Sequence, residues 1–330
     1  MSTKIEWCQE TINPLPGCSK ISEGCQNCYA IRMANRFRGT PKYHGLVEHG
    51  NWTGRLNYWA ADLEKPLRWK KPRRIFVNSM GDLFHPAIDV DGQAYDAIMH
   101  MVRRCSRHTF LFLTKRPGKM RWVCERIWGN DLPKNAWFGV TAENQRRADE
   151  RIPILLQIPA AVRFVSVEPM LGPISLPRVN FHCDLCDGTG ILSRWPKGAC
   201  HYCNGRGEIP AISTDPQFGK PSTPARKIHW VICGGESGPG ARPMNPEWAR
   251  SLKDQCVAAG VPFLLKQLGE YCEVVNPSKE RFVFYRDGKR PEFGYGMLDV
   301  NRPHIFIEKV GKKAAGRKID GLIWDKYPVN

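Results

Sequence analysis

Near the N-terminus, in "PGCSKISEGCQNCYAIRMANRF", Cys18, Cys25 and Cys28 share one loop with the spacing C-x6-C-x2-C. A closed structural zinc site takes four ligands, and no fourth thiol lies in this loop. Three thiolates can hold three irons of a [4Fe-4S] cluster and leave the fourth iron open. An open iron can chelate the amino and carboxylate groups of S-adenosyl-L-methionine (SAM). Electron transfer into the sulfonium then cleaves a carbon–sulfur bond, and the 5'-deoxyadenosyl radical so formed abstracts hydrogen from an unactivated position. The protein's share is to place the cofactor and exclude competing reactions. The competing assignment is a zinc site completed by Cys8, His44 or His49.

A second cysteine group stands in "CDLCDGTGILSRWPKGACHYCNGRG". Cys183 and Cys186 form one CxxC, Cys200 and Cys203 the other, and each pair is followed by x-Gly-x-Gly. Paired thiol knuckles of this kind predict a structural Zn2+ site. In this local motif alone the segment resembles the cysteine-rich repeats of DnaJ-type chaperones. All-cysteine ligation also permits an auxiliary iron–sulfur cluster. Seven of the thirteen cysteines fall in these two groups, which points to metal rather than disulfides in a cytosolic chain.

These groups need a scaffold. From residue 74 onward, short apolar runs alternate with segments of helical spacing. The runs are "RIFVNSMGDLF", "HTFLFLTKRP", "AWFGVTAEN", "VRFVSVEPMLGP", "IHWVICGGESG" and "VPFLLKQLGE". Runs apolar throughout are expected of strands buried on both faces of a parallel sheet. Among the helical segments, "NPEWARSLKDQCVAAG" opens with an Asn N-cap and a Pro and ends on Gly. With one more strand near "TINPL", the pattern predicts an α/β fold, a parallel (β/α) barrel or partial TIM-like barrel. An open doubly wound sheet is the alternative.

In such folds the chemistry sits at the carboxyl ends of the strands. Those ends carry Ser79 and Asp82, Thr114 and Lys115, Thr141 and Glu143, Ser166 and Glu168, Gly234, Gly235 and Glu236, and Lys266 and Gln267. The expected domains are a barrel over 1–177 and 229–270, an inserted four-cysteine zinc module and Pro/Ser-rich loop over 178–228, and a basic extension over 271–330 that packs on the barrel.

The composition is that of a folded protein, 42% hydrophobic and 10% aromatic. The apolar runs are strand-sized, far short of the roughly 20 residues that span a bilayer, and "MSTKIEWCQE" lacks a signal-peptide core. A soluble cytoplasmic protein with no membrane partner is expected. The net charge of +17 gathers in "RWKKPRR", "VRRCSRH", "NQRR" and "KKAAGRK". A positive field of that size predicts a polyanionic partner: nucleic acid, nucleotide or another phosphate-bearing molecule.

The motifs "GCSKISEGCQNCYA", "RIFVNSMGDLFH", "FLFLTKRP", "WFGVTAEN", "FVSVEPMLGP", "VICGGESGPGARP", "KQLGE" and "VGKKAAGRKIDG" run in order along nearly the whole chain. Together they resemble the phage-associated three-cysteine radical SAM-like family, long catalogued as a family of unknown function. The resemblance implies a radical SAM-type barrel with a SAM-binding [4Fe-4S] cluster on Cys18, Cys25 and Cys28. Two features depart from the broader radical SAM pattern, which spaces its cysteines C-x3-C-x2-C and carries Gly-Gly-Glu after the second strand. Here the first gap is six residues and "GGES" lies late in the chain. Ser79, Asp82, Thr114, Glu143, Glu168, Gly234, Gly235 and Glu236 are the expected SAM contacts. Asp82 is assigned to the amino group, with Glu168 and Glu236 as alternatives.

Resemblance and charge together imply a DNA substrate in the host cytoplasm, if the chain is phage-encoded, and an electron donor such as flavodoxin or ferredoxin. The concrete expectation is an isomerase in phage thymine hypermodification. It would convert a glycyl-thymine adduct to a carbon-linked amino acid, starting with hydrogen abstraction at the glycine α-carbon. Two alternatives stand beside it. One is a metal-stabilised nucleic-acid-binding protein without catalysis. The other is a repair enzyme similar to spore photoproduct lyase, with Cys233 returning the hydrogen, although ordinary burial in a strand also accounts for Cys233.

Overall fold

The structure is a computed structural model. It describes the chain except residues 1, 2, 4, 89–92, 130, 177–179, 183–188, 190, 193–197, 201–207, 211–226, 277–280, 288, 290–301, 329 and 330. The chain divides into two compact units. The first comprises Met1–Thr141, Gln157–Ser166 and Gly238–Gly240, and the second Ala142–Leu156, Val167–Ser237 and Ala241–Asn330.

The first unit is built on parallel strands β1 (Glu10–Ile12), β2 (Arg74–Val77), β3 (Thr109–Thr114), β4 (Ala136–Thr141) and β5 (Val162–Val167, all but its last residue). They pair in chain order, with Ile12 beside Val77, Val77 beside Phe112, Leu113 beside Gly139 and Thr141 beside Ser166. A doubly wound sheet reverses its strand order at a switch point; these five strands show no reversal. Every residue of β4 and β5 is buried, which explains why both read as unbroken apolar runs. The sheet packs on an aromatic cluster in which Phe112 stacks on Phe138 at 5.1 Å and Trp128 meets Tyr95 edge-on. Gly139 makes room for a ring, since a Cβ there would lie 2.5 Å from Phe164.

Among the described residues of this unit, the α-helices are α1 (Tyr29–Arg36), α2 (Ala61–Arg68), α3 (Gln93–Arg104) and α4 (Pro117–Arg126). Helix α1 buries Ala30, Ile31 and Ala34. Ala30 and Ala34 pack on Met80, with Cys28 against the same cluster.

In the second unit, α5 (Gln145–Leu156) and α6 (Pro246–Ala258) accompany the parallel pair β6 (Trp230–Gly234) and β7 (Phe263–Gln267). Asn245 caps α6 as its sequence predicts, its Oδ1 accepting from Glu247 N at 2.9 Å. Strands β8 (Tyr271–Val274), β9 (Arg281–Tyr285) and β10 (His304–Lys309) form an antiparallel sheet in the order β8-β10-β9. The end of the chain runs back along β7, with Leu265 N donating to Trp324 O and Lys326 N to Phe263 O. The chain is thus an α/β fold on seven mainly parallel strands. Among the described residues, no helix is long and apolar enough to cross a membrane.

Candidate functional site

The loop after β1 carries the three cysteines, and the tip of β2 holds its base. Asn78, in the left-handed region at φ 69, clamps Leu15 from both sides: its Oδ1 accepts from Leu15 N at 3.2 Å and its Nδ2 donates to Leu15 O at 2.8 Å. Gly17 N donates to Met80 O at 3.0 Å. The two loops touch so closely that a Cβ on Gly81 would lie 2.4 Å from Gly17 O. Asn13 Oδ1 accepts from Met80 N and from the Ser79 hydroxyl, while Asn13 N donates to Asp62 Oδ2. Ser79 also offers its carbonyl to the Tyr29 hydroxyl at 2.6 Å.

The tip of β3 holds the loop from another side. Arg116 Nη1 donates to Asp82 Oδ2 at 2.8 Å and lies 3.7 Å from Cys18 Sγ. Its Nη2 donates to the carbonyl and hydroxyl oxygens of Ser19 at 2.9 and 3.0 Å. Asp82 is otherwise filled. Oδ1 accepts from Thr114 Oγ1 at 2.6 Å and Phe84 N at 3.0 Å, and Oδ2 accepts from Lys115 N at 3.3 Å. His85 Nδ1 accepts from Ala87 N, so in the neutral ring Nε2 carries the proton and donates to Ser19 Oγ at 2.8 Å. Burial and the Arg116 charge hold the His85 imidazole below its ordinary pKa, favouring that neutral form.

The thiols differ electrostatically. Burial, then the Asp82 charge, push Cys18 up to about 12 against the pull of Arg116. Burial alone would also raise Cys25, but the Lys115 charge and hydrogen bonds from the Ile21 and Ser22 backbone and the Ser22 hydroxyl lower it below its ordinary value. Cys28 is the N-cap residue of α1. Among the described residues no cysteine is in a disulfide, and no three His, Cys, Asp or Glu side chains are grouped as ligands of one metal ion. A cubane's thiolates each bind a different iron, so they need not converge on one point. Three unpaired thiols on one loop, with the Lys115 and Arg116 cations beside Cys25 and Cys18, fit an anionic iron–sulfur cluster in donor type and charge.

Of the expected SAM contacts, Asp82 and Thr114 meet beside Cys18, and Ser79 lies on the loop that borders it. Asp82 has its oxygens committed to Thr114, Arg116 and backbone N–H groups, which makes it the anchor of Arg116. Arg116, Ser19 and His85 are not among the residues that the strand-tip pattern singled out. The pattern stopped at Lys115, one residue short of the cation that reaches Cys18. Asn27, between Cys25 and Cys28, donates to Gly240 O at 2.6 Å.

The remaining expected contacts lie in the second unit. Glu143 forms a buried pair with Arg151 at 2.9 Å. Glu168 pairs with Lys266 at 3.0 Å, and a Cβ on Gly234 would fall 2.6 Å from Glu168 Oε1. A Cβ on Gly235 would fall closer still, 2.0 Å from Leu268 O, and the Gly235 carbonyl accepts from Gln267 Nε2. Glu236 is gripped at both oxygens by Arg242. Cys233 is wholly buried, its thiol 3.6 Å from Met170 Sδ, and burial and Glu168 push it well above its ordinary value. Cys183, Cys186 and Cys203 lie outside the described residues, and Cys200 is buried.

No curated protein and no solved structure matches the chain. One family model does, over residues 2–328, and its description is "Protein of unknown function (DUF5131)". Covering almost the full length, that match places the chain in the DUF5131 family.

Proposed function

We propose that the chain is a radical SAM enzyme of barrel type acting on DNA, with a [4Fe-4S] cluster held by Cys18, Cys25 and Cys28. One observation carries this reading: a three-thiol loop at the carboxyl end of a parallel strand is braced by Arg116 from the tip of another, 3.7 Å from Cys18 Sγ. The carboxyl ends of parallel strands are where such folds do chemistry. When bound, the cluster and SAM would supply a carbon-centred radical for hydrogen abstraction.

The chain's own residues set the stage. Asp82 and Thr114 fix Arg116, Arg116 and His85 fix Ser19, and the Asn78 clamp fixes the strand leading into the loop. The net charge of +17 favours a polyanionic substrate. A modified thymine carrying a glycyl adduct is the specific substrate proposed, with isomerisation to a carbon-linked amino acid as the outcome.

Anaerobic reconstitution with iron and sulfide tests the class. The chain is expected to acquire a broad visible absorbance and to release 5'-deoxyadenosine from SAM under reduction, and Cys25→Ala to lose both. Uptake of zinc alone would overturn the reading. Mass analysis of DNA nucleosides from cells with and without the expressed chain tests the substrate.

A further inference from the structure

Helix α1 and its C-cap residue Phe37 carry a partly exposed stripe. Tyr29, Met33 and Phe37 follow one another at four-residue spacing, and 46%, 37% and 38% of their surfaces are exposed. Residues at that spacing share a helix face, and the stripe runs about 12 Å along it at the usual rise per residue. Arg32, Arg36 and Arg38 are exposed in the same segment, with the Arg36 guanidinium 6.0 Å from the Phe37 ring centroid. No Asp or Glu occurs from Gln26 to Val47. The stripe starts at the candidate site, since Cys28 holds the N-cap position of the helix and the Tyr29 hydroxyl donates to Ser79 O.

We propose that this face of α1 docks a single strand of DNA and leads it to the cysteine loop; this rests on the nucleic-acid substrate proposed above. Aromatic rings interleaved with arginines suit unpaired bases, whose faces stack on the rings while the cations follow the phosphates. In a duplex those base faces are already stacked on their neighbours, and an enzyme working on a base must reach it unpaired or extruded. The absence of acidic residues in the segment supplies the charge complementarity, and the short stripe suits a few nucleotides.

Fluorescence anisotropy on the full chain tests this, with a short mixed-sequence oligodeoxynucleotide offered as a labelled single strand, as a duplex and as its RNA counterpart. The single DNA strand is expected to bind best. Phe37→Ala should weaken it about tenfold, as loss of one stacking ring does, and Phe37→Trp should restore it. Arg36→Gln should lower the salt slope by about 0.7, one phosphate contact on a single strand. If the unsubstituted chain binds DNA and these variants bind it equally well, the α1 surface is wrong and the nucleic-acid reading stands. If the unsubstituted chain binds no nucleic acid, that reading fails as well. Preference for duplex or RNA overturns the single-strand DNA assignment. A Phe37→Ala change in sedimentation with unchanged DNA binding would instead mark the face as a contact between copies of the chain.

Discussion

Arg116 and Asp82 form an ion pair at 2.8 Å with each side chain less than a tenth exposed, and the same guanidinium nitrogen faces Cys18 Sγ. Removing the cation alone leaves a buried carboxylate with neutral donors only. Arg116→Met should therefore cost about 3–5 kcal/mol of stability in urea unfolding. Arg116→Lys should recover part of it, since Lys keeps the charge and loses the fork that reaches Ser19. In the reconstituted chain the loss of a nearby positive charge should move the cluster potential to more negative values, by about 60 mV for a tenfold change in a one-electron couple. An unchanged potential in a redox titration would show that Arg116 braces the loop without tuning the metal.

The unequal thiols make a second expectation, for the metal-free chain. With Cys18 raised to about 12, its thiolate fraction at pH 8 is on the order of 10⁻⁴. Cys25 is lowered and reaches its thiolate form at lower pH. Timed alkylation with iodoacetamide, read by peptide mass analysis, should modify Cys25 at least about tenfold faster than Cys18. Equal rates would mean that burial and the Asp82 charge at Cys18, set against the Lys115 charge at Cys25, do not separate the two thiols.

The strands were legible in the sequence because burial on both faces writes a contiguous apolar run, as in "AWFGVT" and "VRFVSV". The helices between them showed their spacing and, at Asn245, their cap. The grouping of three thiols on one loop was legible because they are close in sequence. What holds that loop was not. Arg116 meets Cys18 across 98 residues and Asn78 meets Leu15 across 63. Such pairings leave no period or local motif, since they depend on which strand tips the fold makes neighbours. Asp82 shows the converse limit. A carboxylate at a strand tip reads as a ligand for a substrate amine, and only the structure reveals that its oxygens are already taken by Thr114, Arg116 and backbone N–H groups.

Gly81 marks where two strand tips press together. An added Cβ would meet Gly17 O at 2.4 Å, and Asn78 Nδ2 and Leu15 O at 2.9 Å each; the tightest contact is with backbone, so moving the Asn78 side chain would not relieve it. Gly81→Ala should cost about 1–3 kcal/mol, as overpacking does. It should also displace the start of the cysteine loop and lower iron retention in the reconstituted chain. Gly118, with open space around its Cβ position, is the control: Gly118→Ala at this helical position should keep both stability and iron. Iron loss in both variants would remove the link between the Gly81 contact and the loop.

Asp62 supports the same loops through Asn13, and its charge gives a pH dependence. It is buried, accepting from Asn13 N and Lys42 Nζ at 2.6 Å each and from Lys65 Nζ at 2.7 Å. Burial alone would raise its carboxyl, but these donors hold it below the usual carboxylate value. A depressed folded pKa means the unfolded chain takes up the proton first as pH falls. The stabilisation is therefore complete above about pH 4 and is lost as pH drops through the folded value. Asp62→Ala should cost about 3 kcal/mol at neutral pH, and the gap to the unsubstituted chain should close as the solution is acidified below about pH 4. Because Asn13 passes this support on to Ser79 and Met80, the variant should also hold iron less well at neutral pH. Melting temperatures across the acid range, with iron content measured alongside, check both. A gap that persists unchanged at low pH would show that Asp62 acts by packing rather than by its charge.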